Sequence, residues 1–464
     1  MNAPLQHPAP LRHPPLQRVI AWLTIVFCCS FLFDFRGEES GGSAVQYLYL
    51  LIAVGSTACI ALLGHRTLLA KPGVYLLVLW FGYLLWAATI ATLNGVSPNH
   101  SLRILLPPLL CGCGILVAHV AACHGIRANT IVNALLVAAI GNILWRFFYG
   151  FAVKGATVDT ARAEILSPAL DWIIAFVACS LVLDRKLKPS TLIVAGIVLV
   201  TVMISVTRAV LLPIAMGGVM ATVCLGICLG WRALDLSHLG RKALQAGIAV
   251  AILAGFVILL AVSQPAVTER WVERLFYAQG GKTTVDASWL TREAEAKAMW
   301  DILSEEPISF IYGKGVGAGY YWDPSFYPEL YLVYPADFDF SGTFHFAGHS
   351  VWTYALFSGG VIGVLFHLGL FAAIMAFSIA GARAALHSGN FRPAIAFLPF
   401  VAAWCALSQS ATSNLFDERL SGLMLGLMAG LPQVYFYQRH QQAQRLTRPA
   451  VAYPHPQEQP VLTP

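Results

Sequence analysis

Charge is scarce in this 464-residue chain. Only 11% of its residues are Asp, Glu, Lys or Arg, whereas soluble domains carry about a quarter. Hydrophobic residues make up 58%, so the chain has too little polar surface to cover itself in water. The scarcity of charge excludes an ordinary water-soluble protein and makes a lipid bilayer the expected solvent.

Basic stripes, loop cysteines and metal-ligand motifs are also missing. The net charge is +6, but Lys and Arg form short clusters between apolar runs rather than the stripe that nucleic acid needs. None of the ten cysteines lies in the long polar segment 264–349, so no disulfide framework is expected. The sequence has neither a His-Glu-x-x-His motif nor a Cys/His cluster. We therefore expect no nucleic-acid partner, no metal and no cofactor.

Apolar runs long enough to cross a bilayer recur along the chain. Because a spanning helix needs about 20 apolar residues, the sequence predicts an all-α polytopic membrane protein with about twelve transmembrane helices. The predicted spans are 19–35, 45–64, 74–93, 102–121, 130–149, 167–184, 191–207, 209–230, 243–263, 350–380, 392–413 and 419–437. The predicted organisation is a disordered N-terminus (1–18), nine spans (19–263), a large loop (264–349), three spans (350–437) and a disordered tail (438–464).

The distribution of basic residues orients the predicted bundle. With a cytoplasmic N-terminus, most Lys and Arg of the connecting segments fall on the cytoplasmic side, as the positive-inside rule requires. These residues are Arg66, Lys71, Arg127, Arg185, Lys186, Lys188, Arg232, Arg241, Lys242, Arg383, Arg392, Arg439, Arg445 and Arg448. A single kinked element over 191–230 would invert everything downstream, so the charge rule favours two helices that meet at Arg208. Both termini are then cytoplasmic and the loop 264–349 is periplasmic.

The loop 264–349 holds about half of the 23 acidic residues of the chain. Long loops with internal order are usually functional. The pattern predicts an interfacial amphipathic helix over 264–278, a second helix over 286–303 and an aromatic segment over 320–346. The aromatic side chains suit stacking on sugar faces, or else loop packing and interfacial anchoring.

His349 is the first candidate for chemistry. It stands in Gly348-His349-Ser350, where the loop meets the next predicted membrane helix. An imidazole at a membrane–water boundary is able to accept a proton near neutral pH, which suits a general base. The alternative is an ordinary surface histidine, and position alone weighs the two equally.

Arg208 is the second candidate because it separates two strongly apolar stretches, after Ser205-Val206-Thr207. A charge costs about 2.5–3.5 kcal/mol at the centre of an inserted helix and less near its end. A permanently charged guanidinium at the membrane edge suits a phosphate or pyrophosphate. The alternative is an anchor to lipid headgroups, but the positive-inside rule disfavours an arginine here without a functional reason.

Three further arginines are weaker candidates. Arg292 opens the second loop helix, where a solvated helix charge is the simpler interpretation. Arg103 and Arg146 stand at the outer ends of their predicted spans. They either belong to a basic ring around an anionic headgroup or snorkel to the interface.

Two loop motifs resemble known sites but lack what those sites need. The glycine run Gly313-Lys314-Gly315-Val316-Gly317 has no Gly-Lys-Ser/Thr ending and no βαβ context, so close backbone packing is favoured over phosphate binding. Asp337-Phe338-Asp339 resembles the acid pair that holds a metal for nucleotide-sugar transfer. Nucleotide sugars are cytoplasmic, whereas this loop is predicted to lie outside, so a metal site is not expected there.

Taken in order, several of these motifs resemble one family. His349-Ser350, nine residues and Gly360-Val361-Ile362-Gly363 match the O-antigen ligase pattern of His, Asn/Ser/Gln, nine arbitrary residues and Gly-x-x-Gly. The run ending at Arg208 resembles a Ser/Thr-rich run of that family, and Arg292 with Trp300, Pro307 and the glycine run resembles the opening of its long loop. The chain thus resembles the O-antigen ligase and polymerase superfamily over roughly residues 190–380.

The resemblance implies a glycosyltransferase of the bacterial inner membrane that needs no metal. Its donor would be a polyprenyl-pyrophosphate-linked glycan, and its acceptor lipid A–core for a ligase or a carrier-linked glycan for a polymerase. The His349 motif favours the ligase. His349 would position or deprotonate the acceptor hydroxyl, and Arg208 and Arg292, with Arg103 more weakly, would bind pyrophosphate. A transporter or flippase stays open, although no internal repeat is evident and most charges lie at span ends.

Overall fold

The computed structural model describes residues 14–35, 44–157, 162–184, 186, 188–234, 237–276, 287–323, 328–333, 338–340, 343–387, 391–411 and 413–447. Within these ranges the chain is built from α-helices and contains no β-strand, which confirms an all-α fold. The helices are α1 (Pro14–Cys29), α2 (Ala44–Leu63), α3 (Gly73–Leu93), α4 (Pro98–Cys123), α5 (Ala128–Phe148), α6 (Arg162–Ile165), α7 (Leu170–Leu183), α8 (Pro189–Ser205), α9 (Leu211–Gly230), α10 (Ser237–Ser263), α11 (Pro265–Phe276), α12 (Ala287–Glu305), α13 (Ser309–Tyr312), α14 (Leu330–Val333), α15 (Val351–His387), α16 (Pro393–Ala396), α17 (Leu398–Gln409), α18 (Arg419–Gly430) and α19 (Gln433–Thr447). Single tighter or wider turns occupy His65–Thr67, Tyr149–Val153 and Arg208–Val210.

Seven helical segments of the described chain are long and apolar enough to cross a membrane, which supports a multi-pass membrane protein. They are Ala44–Leu63, Gly73–Leu93, Pro98–Cys123, Ala128–Val153, Arg208–Gly230, Val351–His387 and Arg419–His440. Each remaining predicted span overlaps a helix that is shorter or less fully described, namely α1, α7, α8, α10 or α17. The total of twelve spans therefore stays a prediction.

Helical structure extends beyond the predicted spans at both ends of the described chain. Helix α1 begins at Pro14, inside the segment 1–18 predicted to be disordered. Proline fits the first turn of a helix because the amide it lacks has no partner there. Helix α19 continues to Thr447, inside the predicted tail 438–464. Gln and Arg favour helix, and no Gly or Pro interrupts the run before that point. Residues 1–13 and 448–464 lie outside the described ranges.

The central helix pair is α4 and α18, which pack backbone against backbone. Glycines at every fourth position of α18, Gly422 and Gly426, face Pro107 and Cys111 of α4. A Cβ atom added at Gly426 would lie 2.0 Å from the carbonyl oxygen of Cys111. Small residues at this spacing let helices approach closely in a membrane, where packing rather than hydrophobic burial drives association.

The predicted division at Arg208 is present. Helix α8 ends at Ser205, Val206 adopts a left-handed conformation with φ 44°, and α9 starts at Leu211. Helix α11, the predicted amphipathic helix that follows α10, donates a bond from the indole of Trp271 to the carbonyl of Met203 at 2.9 Å. The end of α10 therefore lies on the same side as the end of α8. Two antiparallel crossings, α9 and α10, account for this arrangement.

The glycine run packs against a kink in α15. Close backbone packing is what the sequence predicted for this run, and the structure shows it. Gly360 interrupts this 37-residue helix with φ 64° and ψ −165°. The break frees the carbonyls of Phe357 and Ser358, which in a regular helix would accept bonds four residues on. They accept instead from the amides of Lys314 and Gly315 at 2.8 and 2.9 Å. The position of Gly360, eleven residues after His349, thus has a local explanation: the kink there receives the loop.

We expect Gly360→Ala to lower the melting temperature of the purified protein substantially. An added Cβ would lie 2.2 Å from the carbonyl oxygen of Ile311, and alanine resists the positive φ; strain of this kind costs about 1–3 kcal/mol. Gly218→Ala on α9 is the matched control, since nothing lies within 4 Å of its Cβ position. Thermal unfolding in detergent measures both. Equal melting temperatures for the two variants would contradict the packing described.

Candidate active site

His349 is held at the start of α15 by contacts with the end of α17. The backbone amide of Val351 donates to the carbonyl of Ser410 at 3.0 Å, and the indole of Trp352 donates to the Ser410 hydroxyl at 2.7 Å. The first turn of α15 is therefore tied to a neighbouring helix. This fixes the position of the histidine, which lies two residues before the helix begins.

Glu295 of α12 binds His349 through both carboxylate oxygens. Its Oε1 accepts from the backbone amide of His349 at 2.6 Å, and its Oε2 lies 2.7 Å from the imidazole Nδ1. The carboxylate side chain is only 2% exposed, whereas the imidazole side chain is 56% exposed. With Nδ1 held by the carboxylate, Nε2 is the nitrogen left to meet a substrate.

The buried carboxylate changes the proton affinity of His349. The hydrogen bond from Glu295 raises the pKa of His349 above its ordinary value near 6.5, and this effect exceeds the opposing effect of partial burial. The charge of Glu295 acts in the same direction as the bond. A carboxylate that orients and polarises an imidazole makes it a stronger base.

Two further charges act on His349. Arg292 lies one helical turn before Glu295 on α12, so the two side chains share a face of that helix. Its positive charge lowers the pKa of His349, while Asp417, between α17 and α18, raises it. Arg292 is thus the predicted pyrophosphate ligand that the structure brings close to His349. Its position is set by the backbone of α12.

The residues before His349 are held by two tyrosines. Tyr320 and His345 exchange backbone bonds at 3.0 and 2.8 Å, and the Tyr320 hydroxyl donates to Ala347 at 2.9 Å. The hydroxyl of Tyr354 on α15 donates to Phe346 and accepts from the amide of Gly317. The segment that carries His349 is therefore fixed to the glycine run and to α15.

The aromatic segment is divided between packing and exposure. Tyr320, Trp322 and Phe340 are buried, and Trp322 stacks on His345 with ring centres 4.3 Å apart. Tyr321 and Phe344 are exposed and contact each other edge to face. Part of the segment, including Asp337, lies outside the described residues. The buried rings serve loop packing, and the exposed ones remain available to a ligand.

Arg208 and Arg103 lie at the same end of the bundle as His349 but are held by other elements. Arg208 is half-buried between α8 and α9, next to the end that α11 contacts. Arg103 is exposed near the start of α4, two residues after Ser101, whose hydroxyl donates to Val316 of the glycine run at 3.0 Å. Neither arginine belongs to α12 or α15, the helices that bring Glu295, Arg292 and His349 together.

Arg146 neither snorkels nor joins an open basic ring. It is 1% exposed and forms an ion pair with Glu418 while also donating to the carbonyl of Leu166. On the preceding turn of α5, Asn142 donates to the carbonyl of Asp34 at 3.0 Å. This polar cluster joins α1, α5 and α18 near their shared end, so the role of Arg146 is to hold helices together.

Sequence reasoning missed Glu295 and Asp417. Glu295 had a usable signal, because Arg292 and Glu295 are three residues apart and therefore face the same way on a helix. Asp417 had none, since it follows α17 and is far in sequence from His349. Within the described ranges, no three His, Cys, Asp or Glu side chains are grouped as metal ligands would be.

Comparison with known proteins adds no assignment: no protein-family model matches the chain, and no curated protein matches it.

We expect Glu295→Gln to lower the pKa of His349. The neutral amide removes both the charge and the bond that raise it. Diethyl pyrocarbonate acylates only neutral imidazole, so its reaction with His349, followed by mass spectrometry across pH, reports this pKa. Acylation of the exposed His387, at the far end of α15, is the internal standard. An unchanged midpoint in the variant would show that Glu295 does not control the imidazole.

The same pair makes a pH-dependent contribution to stability. Because folding raises the pKa of His349, its contribution is fully present below about 6.5 and is lost as pH rises through the folded-state value. The stability difference between wild type and Glu295→Gln should therefore shrink as pH increases through that range. Thermal unfolding at several pH values measures it, and a difference that grows with pH would contradict the pair.

Proposed function

We propose that this protein is a membrane glycosyltransferase that moves a glycan from a polyprenyl-pyrophosphate carrier to a sugar hydroxyl, without a metal. The observation that carries the proposal is the His349–Glu295 pair, with Arg292 one helical turn away, at the boundary between the loop and α15. The pair supplies a base, and the arginine supplies a fixed cation for a phosphate leaving group. The resemblance of the motifs to O-antigen ligases supports the same assignment.

The proposed reaction uses these groups in one displacement. The acceptor hydroxyl gives its proton to Nε2 of His349 while its oxygen forms a bond to the anomeric carbon of the donor glycan. The bond from that carbon to the pyrophosphate oxygen breaks, and the polyprenyl pyrophosphate leaves with the electron pair. Arg292 stabilises the departing charge, and Arg208, with Arg103 more weakly, holds the carrier at the membrane edge. By family resemblance we expect inversion at the anomeric carbon.

The acceptor is proposed to be lipid A–core, which makes the protein an O-antigen ligase. The His-Ser-x9-Gly-x-x-Gly pattern favours this choice over a polymerase that lengthens a carrier-linked glycan. A polysaccharide transporter or flippase is the competing hypothesis from another class. Transfer to a hydroxyl needs a base at the acceptor, and an exposed imidazole that a buried carboxylate orients supplies one, which supports the transferase.

The proposed location is the bacterial inner membrane, with both termini cytoplasmic and the loop 264–349 periplasmic. The excess of Lys and Arg on the connections assigned to the cytoplasm supports this orientation. Alkaline phosphatase folds to an active enzyme only in the periplasm. We therefore expect a fusion of this reporter after residue 276 to be active and a fusion after residue 464 to be inactive. A fluorescent protein at the same positions should give the opposite pattern. The reverse result would invert the topology and place His349 in the cytoplasm.

Variants at His349 and Arg292 test the chemistry. With purified protein, a polyprenyl-pyrophosphate glycan and lipid A–core, we expect His349→Ala to lower turnover by about 10²–10⁴-fold, the usual contribution of a general base. Arg292→Ala should lower turnover by about 10²-fold, as loss of one transition-state charge contact does. His387→Ala, an exposed histidine at the other end of α15, is the matched control and should keep full activity.

The pH profile separates a catalytic from a structural role. If His349 is the base, transfer should rise with pH through its raised pKa, and Glu295→Gln should move that midpoint to lower pH. Full transfer by a folded His349→Ala protein would remove the base from the mechanism. Lengthening of the carrier-linked glycan without lipid A–core would make the protein a polymerase. Absence of any product with either acceptor would favour the transporter.

A further inference from the structure

A basic cavity lies at the end of the bundle opposite His349. Helix α4 starts beside the glycine run, and Arg127 follows its other end, about 39 Å away for 26 residues at 1.5 Å per residue. Helix α15 likewise starts next to His349 and ends at His387, shortly before Arg392. Arg127 and Arg392 both line a cavity of about 380 Å³. The cavity is therefore separate from the candidate active site.

The lining of this cavity is polar and carries two positive charges. The remaining lining residues are neutral: Ala128, Asn129, Phe391, Tyr435 and Gln438. Both guanidinium groups are exposed, whereas Tyr435 is buried. Two arginines in one cavity with the side chains of Asn129 and Gln438 are suited to the oxygens of a phosphate. Phe391 supplies an apolar part of the lining.

One described acid, Asp184, interacts with a cavity arginine. Asp184, at the end of α7, interacts electrostatically with Arg392, but it is also 3.7 Å from Lys188 and close to Lys242. The lysines outnumber this single carboxylate. Residues Ala128 and Asn129 are the first of α5, and no described side chain caps that helix, so its dipole adds to the positive potential. Among the side chains named here, four positive charges (Arg127, Arg392, Lys188 and Lys242) stand against the one carboxylate of Asp184.

We propose that this cavity binds a phosphate ester, and that its occupant is the phosphodiester headgroup of an anionic membrane lipid. Its volume lies within the range of small-molecule sites, roughly 300–1,000 Å³. It is formed where α5 and α19 begin and just after α15 ends, which is where lipid headgroups lie if these helices span the bilayer. Free phosphate shares the same chemistry and is the alternative source of the bound group. This proposal is independent of the transferase function.

Lipid binding by the purified full-length chain tests the proposal. Native mass spectrometry after titration with phosphatidylglycerol, phosphatidylcholine or inorganic phosphate gives an apparent affinity for each probe. We expect Arg127→Gln with Arg392→Gln to weaken phosphatidylglycerol binding by at least about tenfold, because two charge-assisted contacts are lost. Arg127→Lys with Arg392→Lys keeps the charges and should lose less. Arg66→Gln with Arg383→Gln removes two exposed arginines at the same end and is the matched control.

The outcomes separate the sources and the alternatives. Loss of phosphatidylglycerol binding only in the cavity variant, with phosphatidylcholine weak throughout, supports a lipid headgroup. Loss of phosphate binding only in that variant, with the two lipids indistinguishable, supports the same site with a soluble ligand. Equal losses in the cavity and control variants would show diffuse attraction to basic residues and overturn the proposal. Unchanged affinities for phosphatidylglycerol and phosphate in a folded Arg127→Gln, Arg392→Gln variant would also overturn the proposal.

Discussion

The end of the molecule that holds His349 depends on the break in α15 at Gly360. A regular helix satisfies its own carbonyls and offers nothing to a passing loop. The break leaves the carbonyls of Phe357 and Ser358 to the amides of Lys314 and Gly315, and the indole of Trp86 on α3 donates to Gly359. The glycine run is thereby attached to α15 and, through Ser101, to α4. Helix α12, which precedes it, is brought beside the start of α15.

Burial of Glu295 then fixes the register between α12 and the segment before α15. A carboxylate that is 2% exposed is costly unless its oxygens are bonded, and here one residue, His349, supplies both partners. Gly348 makes this approach possible, because a Cβ at that position would lie 2.8 Å from Oε1 of Glu295. The same contact that satisfies the acid leaves Nε2 of the histidine facing outward. The two bonds between Glu295 and His349 therefore both fix the position of α12 and orient the imidazole.

The local sequence pattern was sufficient to predict the helices and to single out His349. It did not predict which side chains bond to His349 and Arg146. Hydropathy placed α8 and α9 on either side of Arg208, and amphipathic spacing placed α11, since both depend on neighbouring residues. Arg146 was misjudged because its partner, Glu418, is 272 residues away and enters only when α5 and α18 pack. The spacing from Arg292 to Glu295 indicated a shared helix face, but α12 carries several acids, and only tertiary packing decides which of them is buried. Long-range contacts leave no trace in a single sequence.

Because charged residues are scarce in this chain, the role of each one within the helical bundle is informative. Where charge is expensive, an ion pair such as Arg146–Glu418 serves to join helices, and its members are not available to a ligand. Arg292 lies on α12 beside a different pair, since Glu295, three residues further on, bonds His349 through both carboxylate oxygens. Its place on α12, three residues or about 4.5 Å of helix rise from Glu295, is set by the backbone rather than by a flexible loop. In the proposed reaction, a pyrophosphate bound by Arg292 would therefore leave within one helical turn of the Glu295 that orients His349.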